Sequence, residues 1–216
     1  MKLSIDIPTS LQDISLSQYK RYLNVSEKNE DDRFLNAKMI EIFCNVKLND
    51  VMRMKLNDSQ EVIETLSTLF NSKPQLVHKF KLNKIEYGFQ PQLDDLTLGE
   101  YIDLDTYIAD WDNIEKAMNV LYRPIESKFR DKYSIEEYKV GDEIKLLNMP
   151  MDAVMSSIFF LWNLGLVLST TMTNSLDNKE SQALTEYLSL QQNGDGINHF
   201  MDSLTEILRN LKVSLN

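Results

Sequence analysis

The 216-residue chain is poor in cysteine, histidine and glycine, and each shortage excludes a class of functional site. It contains one cysteine, two histidines and six glycines. The single cysteine, Cys44, cannot form an intramolecular disulfide and provides no zinc-binding pattern. Phosphate-binding loops need several glycines close together, because backbone amides must approach the anion. The closest pair, Gly194 and Gly196, lacks the rest of such a motif, so these nucleotide-binding motifs are excluded.

The sequence offers little for catalysis. General acid–base chemistry and catalytic triads usually recruit histidine, and His78 and His199 stand far apart in the chain. Neither has a neighbour at the spacing of a metal motif. Cys44 lies in the apolar stretch 42–46, which favours a buried, inert thiol. We therefore expect no catalytic residue, no cofactor and no bound metal ion, and we expect the protein not to be an enzyme.

Acidic residues outnumber basic ones by 33 to 23, which gives a net charge of −10 and a pI near 4.7. This charge opposes the counterion release that supplies most of the affinity of proteins for nucleic acids. We therefore expect no direct contact with nucleic acid. Residues 1–7 carry charges where a secretory signal peptide needs an apolar run, so we also expect no signal peptide.

Alternating apolar and polar residues predict strands at two places. The stretch 2–7 alternates in this way, and Pro8 ends the pattern. A second alternating stretch is interrupted by Asn83 and Lys84, which predicts a hairpin over residues 79–89. Lysine is weaker than glycine at the second turn position, so a loop of about three to five residues is the alternative.

Helical spacing and capping boxes predict helices along most of the remaining chain. In a capping box, a Ser or Thr hydroxyl and a Glu or Gln side chain bind the backbone N–H groups that the first helical turn leaves unpaired. Boxes at Ser15, Thr97 and Ser134 predict three helix starts, the last one opening a short segment. Further helices are predicted at about 32–45, after Asp58, from about Asp112, at 178–190 and at 197–213.

These patterns together predict a mainly α protein of the α+β class, with a helical body and a small N-terminal antiparallel sheet. The sheet is expected to combine a strand at 2–7 with the hairpin at 79–89. Turn-forming and acidic residues near position 92 indicate a domain boundary. They predict a small α+β domain over 1–92 and a helical domain over 93–216, with one continuous domain as the alternative.

Residues 153–176 contain no charged side chain. Their length meets the crude criterion for a membrane span of about 20 residues. Serine, threonine and asparagine residues dilute the apolar ones, however. We therefore interpret the stretch as a buried central helix, and residues 153–172 are the one place where membrane contact would be considered.

Eight acidic residues and no basic residue lie between positions 94 and 115, interleaved with aromatic and aliphatic residues. Such a cluster could bind a divalent cation, but the order of the acids does not match a known calcium-binding loop. We favour an acidic docking surface for a basic partner, with core packing of the aromatic rings as the alternative. The candidate protein-interaction residues are Asp94, Asp95, Glu100, Tyr101, Asp103, Asp105, Tyr107, Trp111 and Asp112.

Three stretches of the chain resemble sequences of tailed-bacteriophage proteins, notably those of crAss-like phages. They read YGFQPQLDDLTLGEYIDLDTY over 87–107, KAMNVLYRP over 116–124 and MIEIFC over 39–44. The resemblance implies a protein of the phage particle, and the candidate that it suggests is a cargo protein. Such a protein would be stored in the head or the portal–tail region of the virion and ejected into the host. During assembly it would be found in the host cytoplasm.

The resulting hypothesis is a non-enzymatic virion component that contacts portal, tail or other cargo proteins, or further copies of itself. A tail-assembly chaperone is the first alternative, and it would be absent from the finished particle. A hydrolase or metal-dependent enzyme that uses the acids of residues 94–115 is a third hypothesis. In that case Asp103 and Asp105 would be essential for activity.

Overall fold

The structure, a computed structural model, describes residues 5–73, 75–130, 132–139 and 146–176, with the backbone alone at 94 and 166–176. Within these ranges seven α-helices and four β-strands make a mixed α+β protein. The helices are α1 Leu16–Ser26, α2 Asp32–Phe43, α3 Leu48–Val51, α4 Leu56–Phe70, α5 Leu98–Ile108, α6 Ile114–Leu121 and α7 Met151–Leu176. The strands are β1 Lys79–Leu82, β2 Ile85–Phe89, β3 Tyr122–Phe129 and β4 Lys132–Ile135.

The four strands form one antiparallel sheet in the order β1, β2, β3, β4. In the first hairpin Leu82 lies opposite Ile85, so Asn83 and Lys84 make a two-residue turn. Both turn residues have positive φ angles, 51° and 69°, as a type I′ turn requires. The predicted hairpin over 79–89 is therefore confirmed, and it has the short turn.

The predicted fold class is wrong about the sheet, which does not lie at the N-terminus. The sheet spans residues 79–135, and residues 5–7 of the predicted strand at 2–7 belong to no strand. The side of β2 away from β1 is taken by β3, which pairs with it through Tyr87 and Pro124. An alternating pattern identifies a half-buried surface, but it does not identify the surface's partner.

The sequence prediction missed strands β3 and β4. Pro124 predicts a helix end, and α6 does end at Leu121, but the chain continues directly into β3. Ser134, which was expected to begin a helix, lies in β4, and its hydroxyl is hydrogen-bonded to that of Ser127 on β3 at 2.7 Å. A serine hydroxyl can cap a helix or form a hydrogen bond between strands, so the local pattern at Ser134 did not distinguish a helix start from a strand.

Two of the predicted capping boxes are confirmed. At the start of α1 the hydroxyl of Ser15 accepts a hydrogen bond from the Gln18 N–H at 3.3 Å, and Gln18 Oε1 accepts one from the Ser15 N–H at 2.9 Å. Thr97 and Glu100 form the equivalent pair at the start of α5. Because each box lies within four consecutive residues, its position can be read from the sequence alone.

Helix α7 packs into the core along its first half, in agreement with the interpretation of a buried helix. Val154 and Ile158 are fully buried. The hydroxyl of Ser156 accepts a hydrogen bond at 3.1 Å from the backbone N–H of Val77, just before β1. The hydroxyl of Tyr122 at the start of β3 donates to the carbonyl of Val77 at 2.7 Å. These bonds hold the segment that leads into the sheet against α7.

The segment before α1 is paired with the segment before α7. The N–H of Leu16 donates to the carbonyl of Met149 at 2.9 Å, and the N–H of Met151 donates to that of Ile14 at 2.8 Å. The side chains of all four residues are almost completely buried. The N-terminal helices and α7 therefore contribute to the same hydrophobic cluster.

The division into domains 1–92 and 93–216 stays a prediction. Strand β2 lies before position 92 and its partner β3 lies after it. No helix in the described part of the chain combines the length and apolar character needed to cross a membrane. The helices predicted at 178–190 and 197–213, together with His199, lie outside the described residues.

Candidate interaction surface

Helix α5 carries most of the candidate residues, and it has a buried and an exposed face. Side chains that recur every four residues point into the protein, namely Glu100, Leu104 and Ile108. A helix turns by about 100° per residue, so the residues between them point elsewhere. The large apolar side chains that are exposed, here called the α5 face, are Leu98, Tyr101 and Ile102, which are 74%, 41% and 51% exposed.

The candidate Glu100 lies inside the protein. Its Oε2 accepts hydrogen bonds from the N–H and the hydroxyl of Thr97, both at 2.8 Å. Its Oε1 accepts one from Nη1 of Arg123 on β3 at 2.6 Å. Both members of this ion pair are buried. The pair therefore ties the start of α5 to the sheet, and it is not available to a docking partner.

The environment of Glu100 keeps its carboxylate charged. Burial by itself would raise the pKa of this group. The hydrogen bonds from Thr97 and the charge of Arg123 outweigh that effect, and they hold the pKa of Glu100 below its ordinary value of 4.5. The ion pair is consequently present at neutral pH.

Asp103 is half-buried and also has a structural contact. The hydroxyl of Tyr138 donates a hydrogen bond to Asp103 Oδ2 at 2.6 Å. Burial, followed by the interaction with Asp103, raises the pKa of Tyr138 above its ordinary value, so the hydroxyl stays protonated. Asp103 thus fastens the segment after β4 to α5. Replacing it would remove this structural contact as well as any chemistry in which it took part.

The aromatic candidates Tyr107 and Trp111 are half-buried and pack against the rest of the protein. The ammonium of Lys116 lies 4.8 Å from the centre of the Tyr107 ring. The ring of Trp111 packs on Tyr19 of α1, with the ring centres 5.2 Å apart. Core packing, the alternative to a docking role, describes these two residues best.

The remaining acidic candidates differ in their exposure. Asp95 and Asp112 are exposed, whereas Asp105 is half-buried. Asp105 follows Tyr101 by four residues, so it lies on the same side of α5 as the α5 face. The backbone carbonyl of Asp112 accepts a hydrogen bond from Lys20 at 2.7 Å. The side chain of Asp94 lies outside what the structure describes.

The sequence prediction omitted Leu98 and Ile102, the two most exposed apolar residues of the helix. A signal for them was present, because they are four residues apart and follow the helix cap at Thr97. The buried position of Glu100, two residues after Leu98, shows which side of the helix faces the core. That information comes from the contact with Arg123, which is distant in sequence.

The residue types that most often bind metals or act as nucleophiles can be located in the described part of the chain. Among the described residues, no group of three or more His, Cys, Asp or Glu side chains is arranged to hold a metal ion. Cys44 is buried as predicted, and burial raises the pKa of its thiol to about 11. The thiolate, which is the nucleophilic form, is therefore scarce at neutral pH. His78 is exposed just before β1.

The α5 face consists of three apolar side chains that are exposed. The exposed Asp95 precedes Leu98 by three residues in the chain, and the half-buried Asp105 lies on the same side of the helix. An apolar centre with a charged rim is a common composition of protein–protein interfaces. Comparisons of the chain with protein-family models, with curated proteins and with solved structures found no match.

Proposed function

We propose that this chain is a non-enzymatic component of a tailed-phage particle, either a cargo protein or a protein associated with the portal or tail. It contacts other particle proteins through the α5 face. The observation that carries the proposal is the exposure of Leu98, Tyr101 and Ile102 on one side of one helix. The resemblance of residues 39–44, 87–107 and 116–124 to phage proteins supplies the setting.

The energetics of apolar burial support a binding role for this face. Transfer of a leucine-sized side chain from water into an interface contributes roughly 1.5–3 kcal/mol. A few large apolar side chains at the centre of an interface usually dominate its affinity. The exposed acid Asp95 would add orientation and a faster association with a basic partner.

The charge of the whole chain is compatible with storage in a particle that holds DNA. A net charge of −10 repels the phosphate backbone, so the protein would not adhere to the packaged genome. Ejection with the genome remains part of the cargo hypothesis.

Quantitative mass spectrometry of purified particles tests the proposal. The chain is expected in purified particles at a fixed ratio to the major capsid protein, which serves as the internal standard. Loss of the chain from particles that have released their genome would identify it as ejected cargo, whereas retention would favour a portal or tail position. Presence in infected cells combined with absence from finished particles would overturn the proposal in favour of a tail-assembly chaperone.

A further inference from the structure

We infer that the occupant of the α5 face is a second copy of this chain, which inserts the free end of its β-sheet. The inference rests on the proposed function, because it names the partner of the surface proposed there. It is supported by a second exposed surface whose composition complements that of the α5 face.

The second surface, here called the hairpin end, comprises Lys84 in the first hairpin and Phe129, Arg130 and Lys132 in the second. Strands β2 and β3 are antiparallel, and Phe89 lies opposite Tyr122. The start of β2 and the end of β3 therefore lie together at the other end of the sheet. The β1–β2 turn with Lys84 is at this end, as is the β3–β4 hairpin, in which Phe129 pairs with Lys132.

The hairpin end exposes a large apolar side chain and several basic side chains. Phe129 is 71% exposed, and the guanidinium of Arg130 lies 5.3 Å from the centre of its ring. Lys84 and Lys132 are exposed as well. A protruding aromatic ring with a basic rim fits an apolar face with an acidic rim.

The two surfaces lie at opposite ends of the sheet. Helix α5 meets the sheet where β3 begins, through the ion pair of Glu100 with Arg123. Strand β3 then continues to Phe129, six residues after Arg123, a distance of roughly 20 Å at about 3.3 Å per residue. The hairpin end of one copy can therefore reach the α5 face of another copy in a head-to-tail arrangement. Such a contact produces a ring if it closes and a filament if it does not.

The distribution of charge favours a second copy as the partner. The segments at the hairpin end, residues 81–86 and 126–132, contain five basic and three acidic residues. They carry +2 together, and the rest of the chain carries −12, which gives the net charge of −10. At the α5 end Asp95 is exposed, whereas Glu100 is paired with Arg123 and Glu115 with Lys20. Opposite charges at the two ends orient approaching copies head to tail and oppose contacts between like ends.

Complementary variants test this contact by analytical ultracentrifugation of the full chain. Leu98→Asp damages the α5 face, and the double change Arg130→Glu with Lys132→Glu damages the hairpin end. The first variant retains only an intact hairpin end, and the second retains only an intact α5 face. Neither variant alone contains both surfaces of the contact, so each should stay monomeric at concentrations at which the wild type self-associates. An equimolar mixture of the two should form a 1:1 heterodimer that does not grow further.

Matched controls separate the contact from general effects of charge. Leu56 is the first residue of α4, as Leu98 is of α5, and the two are 72% and 74% exposed. Leu56→Asp should therefore leave self-association within about twofold of the wild type, while Leu98→Asp weakens it by about tenfold or more. The double change Lys47→Glu with Lys55→Glu alters the net charge as the hairpin variant does, at exposed positions of the N-terminal part, and should likewise have little effect.

Several outcomes would overturn the inference. They are a wild-type chain that stays monomeric at all concentrations, loss of self-association in the Leu56→Asp control, or a mixture of the two variants that forms no heterodimer. Detection of the chain in particles depends on none of these results. A chain that is monomeric but present in virions would therefore reject the self-contact and leave the proposed function intact. A chain that self-associates but is absent from virions would reject the proposed function and leave the self-contact intact.

Discussion

At the residue scale, Gly88 in β2 is a position where neighbouring side chains leave no room for a Cβ atom. The ring of Tyr133 lies across this glycine, and its hydroxyl donates a hydrogen bond to the carbonyl of Phe89 at 2.6 Å. A Cβ atom at position 88 would come within 2.9 Å of Tyr133 Cδ2 and 3.0 Å of Ile125 Cγ1. The absence of a side chain is thus required for Tyr133 to close over the strand.

Gly88→Ala is therefore expected to lower the free energy of unfolding by about 1–3 kcal/mol through overpacking. Gly99 in α5 is the matched control, because a Cβ atom there would meet nothing within 4 Å. Gly99→Ala should instead raise the stability by roughly 0.5–1 kcal/mol, since alanine is the better helix former. Urea unfolding of both variants measures the difference, and equal effects of the same sign would contradict this account.

The ion pair of Glu100 and Arg123 makes a second prediction. Because the pKa of Glu100 is lowered in the folded state, the stability that it contributes is present above the ordinary pKa and is lost as the pH falls through the folded value. Glu100→Gln leaves Arg123 buried without its counter-charge, and it should cost about 3 kcal/mol at pH 7.

Urea unfolding between about pH 7 and pH 3 tests this dependence, because the usual carboxylate range lies within that window. The wild type should lose more stability than the Gln variant as the pH falls below the ordinary value of 4.5. Parallel pH profiles of the two proteins would show that the pair does not contribute as described.

At the scale of elements, helix α7 supports the sheet through one serine and not through its neighbour. Ser156 Oγ accepts a hydrogen bond from the Val77 N–H at 3.1 Å. The hydroxyl of Ser157 donates to the carbonyl of Val154, within its own helix, at 2.9 Å. Both serines are buried. The Ser157 hydroxyl also lies 3.4 Å from Met118 Sδ on α6, a weak acceptor, so only Ser156 makes a strong hydrogen bond to the chain before β1.

Ser156→Ala should therefore lower the free energy of unfolding by about 1–3 kcal/mol, because the Val77 N–H loses its acceptor. Ser157→Ala should change it by less than about 1 kcal/mol, since the helix carbonyl keeps its other bonds. Hydrogen exchange at Val77 gives a site-specific measurement. Faster exchange in the Ser156 variant alone is expected, and unchanged exchange there would contradict the role of that contact.

The elements also show which parts of the fold could be predicted from the sequence. The hairpin over 79–89 and the caps at Ser15 and Thr97 depend on a few consecutive residues, and these predictions were confirmed. The pairing of β2 with β3 joins segments more than 30 residues apart. Periodicity carries no information about such a partner. The N-terminal sheet was predicted wrongly for this reason.

The candidate interaction surface was likewise predicted only in part from the sequence. The sequence located an acidic and aromatic segment, and α5 is where the capping box placed it. Which of its side chains would face outward was set by a distant partner, Arg123, which holds Glu100 inside. Leu98 and Ile102 were not among the predicted interaction residues, because the sequence alone does not show which side of α5 is exposed.

At the scale of the whole molecule, charge and apolar exposure are unevenly distributed. The two hairpins carry a positive net charge in a chain whose total is −10. The hairpin end exposes a phenylalanine, and the α5 face exposes a leucine and an isoleucine. A contact between these ends should be sensitive to salt, because the Debye length falls from about 10 Å at 0.1 M to about 3 Å at 1 M ionic strength.

We propose that the chain works by protein contact through the α5 face within a phage particle. The most direct test is the copy number per particle, measured by quantitative mass spectrometry, for phages that carry wild type, Leu98→Asp or Leu56→Asp. The account predicts that Leu98→Asp lowers the copy number at least about tenfold, as expected for an interface residue that contributes more than about 1.4 kcal/mol, while Leu56→Asp matches the wild type. Equal incorporation of both variants, or absence of the wild-type chain from particles, would contradict it.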